Sequence, residues 1–189
     1  MGDPKSLSKE GRGTTTIEVD PITLRTYLQA IGRLDKDVQD EIRRKAQSQA
    51  IGFKFNLELA AMLSPTPQAR LVAQSITTPR DRLPTVVIGG KKRVGREYRS
   101  REKRVGKTGN TLPGKRIKAP AGALLYGSEY GSRGGTDSRG RKMGKRFVVG
   151  RSTYGYWINP TTEREANEVF TAWVNFVDDI LKREGIYGG

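Results

Sequence analysis

The stretch EANEVFTAWVNFVDDILKR, residues 165–183, carries the strongest structural signal in the chain. Its apolar residues recur at steps of three and four, the spacing of one face of an α-helix. These residues are Ala166, Val169, Phe170, Trp173, Val177, Ile180 and Leu181. The pattern predicts a long amphipathic C-terminal helix that must pack on another part of the protein.

Two signals for the start of this helix precede the apolar pattern. Asn159 followed by Pro160 is one of them, because proline suits the first helical position. Thr162 with Glu165 is the other, because the two have the spacing of a capping box. Both starts are compatible with the pattern.

An aromatic group lies directly upstream of the helix, in STYGYWINPT at residues 152–161. Tyr154, Tyr156 and Trp157 have two interpretations. They can form a stacking platform for nucleic-acid bases, or they can pack at the helix entry as a hydrophobic staple does. We favour packing for Trp157.

The N-terminal half is predicted to be largely helical. Residues 1–16 are polar and predict a flexible arm, and Ile17–Val19 predicts a short strand. Asp20 and Pro21 predict a helix start, and Asp35 is a candidate cap for a second helical segment. Gly32 and Gly52 leave open whether the region forms one helix or two or three pieces.

The middle of the chain shows shorter signals. Residues 68–76, QARLVAQSI, predict a short helix, and the β-branched run Thr85–Ile88 predicts a strand that ends in a turn at Gly89–Gly90. Residues 147–149 predict a further short strand. Together these elements indicate one α+β domain over residues 17–189, in which a small, mostly antiparallel sheet is flanked by N-terminal helices and packed by the long C-terminal helix.

The positive charge is concentrated in the central third. The chain has 35 Lys and Arg against 20 Asp and Glu, a net charge of +15. Residues 91–151 hold 19 basic and 4 acidic residues, and 19 − 4 = 15, so this region accounts for the whole excess. We predict two extended basic loops, at 91–118 and 132–146. Such loops are either solvated without a dedicated partner or face an anionic one.

The candidate contact residues for DNA or for neighbouring proteins are 17 of the 18 cations of these two loops. They are Lys91, Lys92, Arg93, Arg96, Arg99, Arg101, Lys103, Arg104, Lys107, Lys115, Arg116, Lys118, Arg139, Arg141, Lys142, Lys145 and Arg146.

The sequence predicts no catalytic, cofactor-binding or metal site. The chain contains neither cysteine nor histidine, which removes thiolate chemistry, the commonest metal ligand and the usual general base near neutral pH. Gly106–Lys107 lacks the glycine that a phosphate-binding P-loop needs five residues earlier, where Arg101 stands. For Glu129 we favour a carboxylate that accepts backbone or arginine hydrogen bonds over a catalytic acid.

Three segments, taken in order, resemble a known family. They are SPTPQARLVAQSI at 64–76, AGALLYGSEYGS at 121–132 and GYWINPT at 155–161. The chain resembles the tail-completion or head–tail connector proteins of long-tailed double-stranded DNA phages, and is most similar to versions from phages of actinobacteria. The resemblance spans about residues 17–185. It departs from the family at Ala69, where glycine is frequent, and in the longer, more basic stretch before Ala119.

The resemblance implies a structural virion protein at the head–tail interface, assembled in the bacterial cytoplasm. It implies a ring of six copies between the neck and the tail tube, with DNA passing through the ring, and no membrane partner. Glu129, Tyr130 and Gly131 match the family's Glu–aromatic–Gly turn, while Tyr156, Trp157 and Pro160 match its helix entry. These are structural positions.

Alternative functions remain open from the sequence. A tail terminator, which caps the tail tube, is also a small α+β ring-forming protein. A ribosomal or nucleoid-like nucleic-acid-binding protein would account for a pI near 10.3. An enzyme is the least favoured class.

Overall fold

The computed structural model describes residues 21–99, 103–105, 110–112, 114, 116–132 and 150–186. These residues form helices and short strands in an α+β arrangement. In chain order the elements are α1 (Pro21–Gly32), α2 (Lys36–Leu63), α3 (Ala69–Ala73), β1 (Arg93–Arg99), β2 (Lys103–Val105), β3 (Asn110–Leu112), β4 (Arg116–Pro120), α4 (Ala121–Tyr130), β5 (Gly131–Ser132), β6 (Gly150–Arg151) and α5 (Ile158–Arg183).

The predicted C-terminal helix is α5, and its principal partner is α2. Trp173, Val177, Ile180 and Leu181 are buried in a core that α5 shares with α1 and the first half of α2. The indole Nε1 of Trp173 donates to the carbonyl oxygen of Arg82 at 2.8 Å, so its polar atom is satisfied inside the core. The helix begins at Ile158, and the predicted capping box is therefore wrong, because Thr162 lies inside the helix.

The N-terminal region divides into two helices at Gly32–Asp35. Pro21 is the first residue of α1, as predicted. Asp35 precedes α2, but it makes no capping bond through its side chain; its carbonyl oxygen accepts the N–H of Gln39 at 2.9 Å. Gly52 does not interrupt α2, which continues to Leu63.

A second core joins the end of α2 to α3, α4 and the entry to α5. Leu57, Val72, Leu125 and Trp157 are among its buried residues. Helix α3 is shorter than the predicted helix over 68–76, of which it forms the middle part. One core packs on the first half of α2 and the other on its second half, so this helix contributes to both.

The strand predicted at Thr85–Ile88 is wrong. This stretch makes only an isolated antiparallel bridge between Val87 and Thr77, although its β-branched residues favour extended backbone. The turn after it is confirmed, because Gly89 and Gly90 have φ values of 89° and 73°, which favour glycine.

The extended basic loop predicted at 91–118 is corrected by the structure. Its described residues form β1, β2, β3 and β4, in the antiparallel pairs β1–β4 and β2–β3. Charged residues can occupy these strands because a two-stranded ribbon keeps much of its surface in water. The third pair, β5–β6, is also antiparallel.

Several predictions fall outside the described residues: the arm at 1–16, the strands at 17–19 and 147–149, and the basic loop from 133 to 146.

Candidate anion-binding surface

The pair β1–β4 forms an antiparallel ribbon with one irregularity. Arg93 pairs with Pro120 and Arg99 with Arg116, and the register shifts between Val94 and Tyr98. Val94 is 3% exposed and anchors the ribbon to the core. The ribbon is also tied to α4, because the carbonyl oxygen of Lys92 accepts the N–H of Ala121 at 2.8 Å.

Six cations are exposed on this ribbon and the two residues before it. They are Lys91, Lys92, Arg93, Arg96, Arg116 and Lys118, and we call this set the basic ribbon. Glu97 is exposed on β1 as well. Two of the cations bind main-chain carbonyls: Lys92 donates to Gln74, and Arg93 Nη1 donates to Lys118 at 2.7 Å. Six positive charges and one negative charge are therefore exposed on this surface.

The basic ribbon differs from the helices in how its charges are compensated. On the helices, Arg43 binds Asp40 at 2.8 Å and Arg183 binds Glu41 at 2.9 Å. Within the described part of the chain, no basic-ribbon cation lies within ion-pair distance of a carboxylate. The ribbon therefore presents uncompensated positive charge to solvent.

The strand register also brings two predicted contact positions together. In the backbone pairing, Arg99 of β1 lies opposite Arg116 of β4.

Some predicted contact residues have only a backbone placement, and others have none. Lys103 and Arg104 lie in β2, opposite Leu112 and Thr111 of β3. The remaining predicted cations fall outside the described residues: Arg101, Lys107, Lys115, Arg139, Arg141, Lys142, Lys145 and Arg146.

Glu129 lies in a different part of the molecule and has a structural role. It is 3% exposed, at the end of α4. Its Oε2 accepts the backbone N–H of Ile158 at 2.8 Å and that of Trp157 at 3.3 Å, while Oε1 accepts the N–H of Asn159 at 2.8 Å. The carboxylate thus caps the start of α5, and the prediction that it accepts backbone hydrogen bonds is confirmed.

The neighbouring motif residues complete this junction. Trp157 is 1% exposed, so its packing role is confirmed, and Tyr156 packs partly buried against the same core. The amide of Asn159 donates to the Tyr130 hydroxyl at 2.9 Å. Gly131 ends α4 with a φ of 70°, and Pro160 lies in the first turn of α5, where its missing N–H costs nothing.

Two features of these regions were not predicted. Gly155, with a φ of 96°, passes so close to Glu129 that a Cβ atom there would overlap Oε1. Arg151 is exposed on β6, donates to the Tyr126 hydroxyl at 2.5 Å and lies over that ring at 5.9 Å. The close approach of Gly155 could not be predicted, because Glu129 lies 26 residues away along the chain. The sequence does indicate Arg151 as a further candidate contact residue, because it is the last cation of the basic central third.

Three further findings bear on function. No protein-family model, curated protein or solved structure matches the chain. Within the described ranges, no cluster of three or more acidic side chains is arranged to hold a metal ion. No helix there combines the length and apolar character that crossing a membrane requires.

Proposed function

We propose that the chain is a structural protein of the phage neck, which completes the tail and joins it to the DNA-filled head. In this proposal, six copies form a ring between the neck and the tail tube, at the head–tail interface of the virion. The protein assembles in the bacterial cytoplasm and has no catalytic activity. The segments at 64–76, 121–132 and 155–161 support this proposal by their resemblance to connector proteins.

The observation that carries the proposal is the basic ribbon, a row of exposed cations without carboxylate partners in the described structure. Lysine and arginine on an open surface contact phosphates without reading base sequence. A ring with such ribbons turned inward would attract DNA passing through its channel. Turned outward, the same ribbons would bind acidic surfaces of neighbouring rings.

The genetic test is electron microscopy of a lysate from a phage with a nonsense codon early in this gene. We expect DNA-filled heads beside separate tails of normal length. Overlong tail tubes would instead indicate a tail terminator. Intact infectious particles would overturn any essential role in the neck.

The biochemical test separates a DNA role from a protein role. We compare two variants that each lose four positive charges by substitution with glutamine. The ribbon variant changes Lys91, Arg96, Arg116 and Lys118. The control variant changes four exposed cations on α1, directly after α1, at the start of α2 and on α5, namely Arg25, Arg33, Lys36 and Lys182.

We expect the ribbon variant to reduce the slope of log K against log salt for duplex DNA. The expected reduction is about 0.9 for each phosphate that the variant no longer neutralises, because binding releases condensed counterions. The control variant should change the slope much less. Equal reductions would mean that net charge alone drives binding, and an unchanged slope in the ribbon variant would favour contacts with neighbouring proteins.

A ribosomal or nucleoid-like protein is the alternative function, in which the same basic ribbon would bind RNA or DNA. High-affinity binding of free RNA by the isolated protein, abolished in the ribbon variant and kept in the control variant, would favour that alternative.

A further inference from the structure

The outward side of the second half of α2 is apolar. Ile51, Phe55, Leu59, Met62 and Leu63 are between 47% and 78% exposed. They recur at steps of three and four, so they form one continuous stripe, which we call the α2 stripe. The opposite side of the same helix packs in the core through Ala50, Leu57 and Ala61. Contiguous apolar side chains on a surface indicate an interaction site.

The charge distribution indicates what this site binds. Residues 51–63, IGFKFNLELAAML, contain one lysine and one glutamate, so their net charge is zero in a chain of net charge +15. Two copies of this chain repel each other over most approaches. At the α2 stripe they can meet without opposing like charges.

We propose that the α2 stripe binds the same stripe of a second copy, with the two α2 helices antiparallel and related by a two-fold axis near Phe55. When the two α2 helices run antiparallel, residues of different size lie opposite each other. Gly52 then lies opposite Leu59, and Ser48 opposite Leu63, so these two leucines meet small residues, while Phe55 lies beside Phe55 of the second copy at the axis. A parallel pair would place Gly52 beside Gly52 and Leu59 beside Leu59.

The charges at the edge of the stripe are also self-complementary. Lys54 and Glu58 occupy one flank, where Nζ and Oε1 are 3.6 Å apart. In a two-fold antiparallel pair each flank meets the same flank of the other helix in reverse order, as in antiparallel coiled coils. Lys54 then faces Glu58 of the second copy, and Glu58 faces Lys54. A parallel pair would set this flank against the one that carries Asn56 and would form neither ion pair.

The absence of cysteine from the chain makes disulfide mapping unambiguous. We expect Phe55→Cys to form a disulfide-linked dimer under mild oxidation, seen on a non-reducing gel. Gly52→Cys mixed with Leu59→Cys should form the mixed disulfide in preference to either self-linked species. Ser48→Cys should not link to itself, because the antiparallel pair separates these positions by about 22 Å along the helix axis.

Sedimentation equilibrium tests the same proposal without new thiols. The unaltered protein should show a concentration-dependent dimer. Leu59→Glu should raise the dimer dissociation constant at least about tenfold, because it places two carboxylates in the apolar contact. Val87→Glu is the matched control: its side chain is 46% exposed, against 47% for Leu59, but it lies outside α2 and should change the constant little.

A self-linked Ser48→Cys species would overturn the antiparallel arrangement. A protein that stays monomeric at every concentration, or an equal effect of the two glutamate substitutions, would overturn the α2 stripe as a dimer contact. The proposal does not depend on the neck role, since each of these measurements uses only the purified chain.

Discussion

Glu129 of α4 caps the start of α5. The N-cap residue of α5 makes no capping hydrogen bond through its own side chain. Trp157 occupies the N-cap position, where its side chain cannot accept a hydrogen bond from the first turn. The Glu129 carboxylate binds three of the free amides there, and its negative charge also suits the positive end of the helix dipole. A residue from α4 therefore fixes where α5 begins.

Glu129→Gln should destabilise the protein by about 1–3 kcal/mol, because the amide has only one accepting oxygen and turns an N–H₂ group toward a backbone N–H. Chemical denaturation monitored by circular dichroism measures this loss. Glu168→Gln, at an exposed position on α5, is the control and should stay within about 0.5 kcal/mol of the unaltered protein. Equal effects of the two substitutions would contradict the capping role.

Gly155→Ala should be more damaging than an ordinary glycine substitution. Its φ of 96° disfavours a side chain, and the new Cβ would overlap Oε1 of Glu129, which is buried and held by the helix start. Gly32→Ala is the matched control, since its Cβ would meet only the end of the Arg82 side chain at 3.9 Å. We expect a clearly lower melting temperature for Gly155→Ala alone, measured by scanning calorimetry.

At the scale of elements, helices with a strong apolar period were predictable and the strands were not. The apolar face of α5 must pack against another apolar surface, and α2 provides that surface. The ribbons form where the sequence alternates charge and glycine, and their pairing depends on contacts between distant residues, such as Arg93 with Pro120. Helix α4 was also missed, because AGALLYGSEY contains two glycines and has no clear apolar face.

The basic ribbon was also only partly predictable from the sequence. The sequence located the excess charge, since that depends only on counting, but it could not indicate which cations share a ribbon or lack partners. That information comes from the strand register, as in the opposition of Arg99 and Arg116.

The contact between α2 and α5 should make stability depend on pH. Hydrogen bonding to Arg183 holds the pKa of Glu41 below its ordinary value of 4.5. Because the pKa is lower in the folded state, the stabilising contribution is present above the unfolded pKa and is lost as the pH falls through the folded one. Arg183→Gln should therefore lower the melting temperature slightly at neutral pH, and the difference from the unaltered protein should shrink below about pH 4.

A melting series from neutral to acidic pH measures this dependence, with Arg33→Gln as the control at an exposed arginine directly after α1. A difference between Arg183→Gln and the unaltered protein that stays constant down to acidic pH would show that the Glu41 contact does not contribute through its charge.

At the scale of the whole molecule, charge is unevenly compensated: the helices carry ion pairs, and the basic ribbon has none within the described structure. Repulsion among the ribbon cations opposes folding and is screened by salt. We expect the melting temperature to rise as monovalent salt increases from about 0.05 to 0.5 M. The rise should be smaller in the four-residue ribbon variant than in its charge-matched control; equal rises would place the repulsion elsewhere.

The pairing of β5 with β6 has a consequence for protein engineering. Ser132 and Gly150 are register partners, and so are Gly131 and Arg151, so these positions are adjacent in space although Ser132 and Gly150 are 18 positions apart along the chain. Because the two positions are already adjacent, residues added between them should increase the entropic cost of joining β5 to β6 only slowly. We expect an epitope tag or fluorescent label inserted between them to mark the protein without separating β5 from β6.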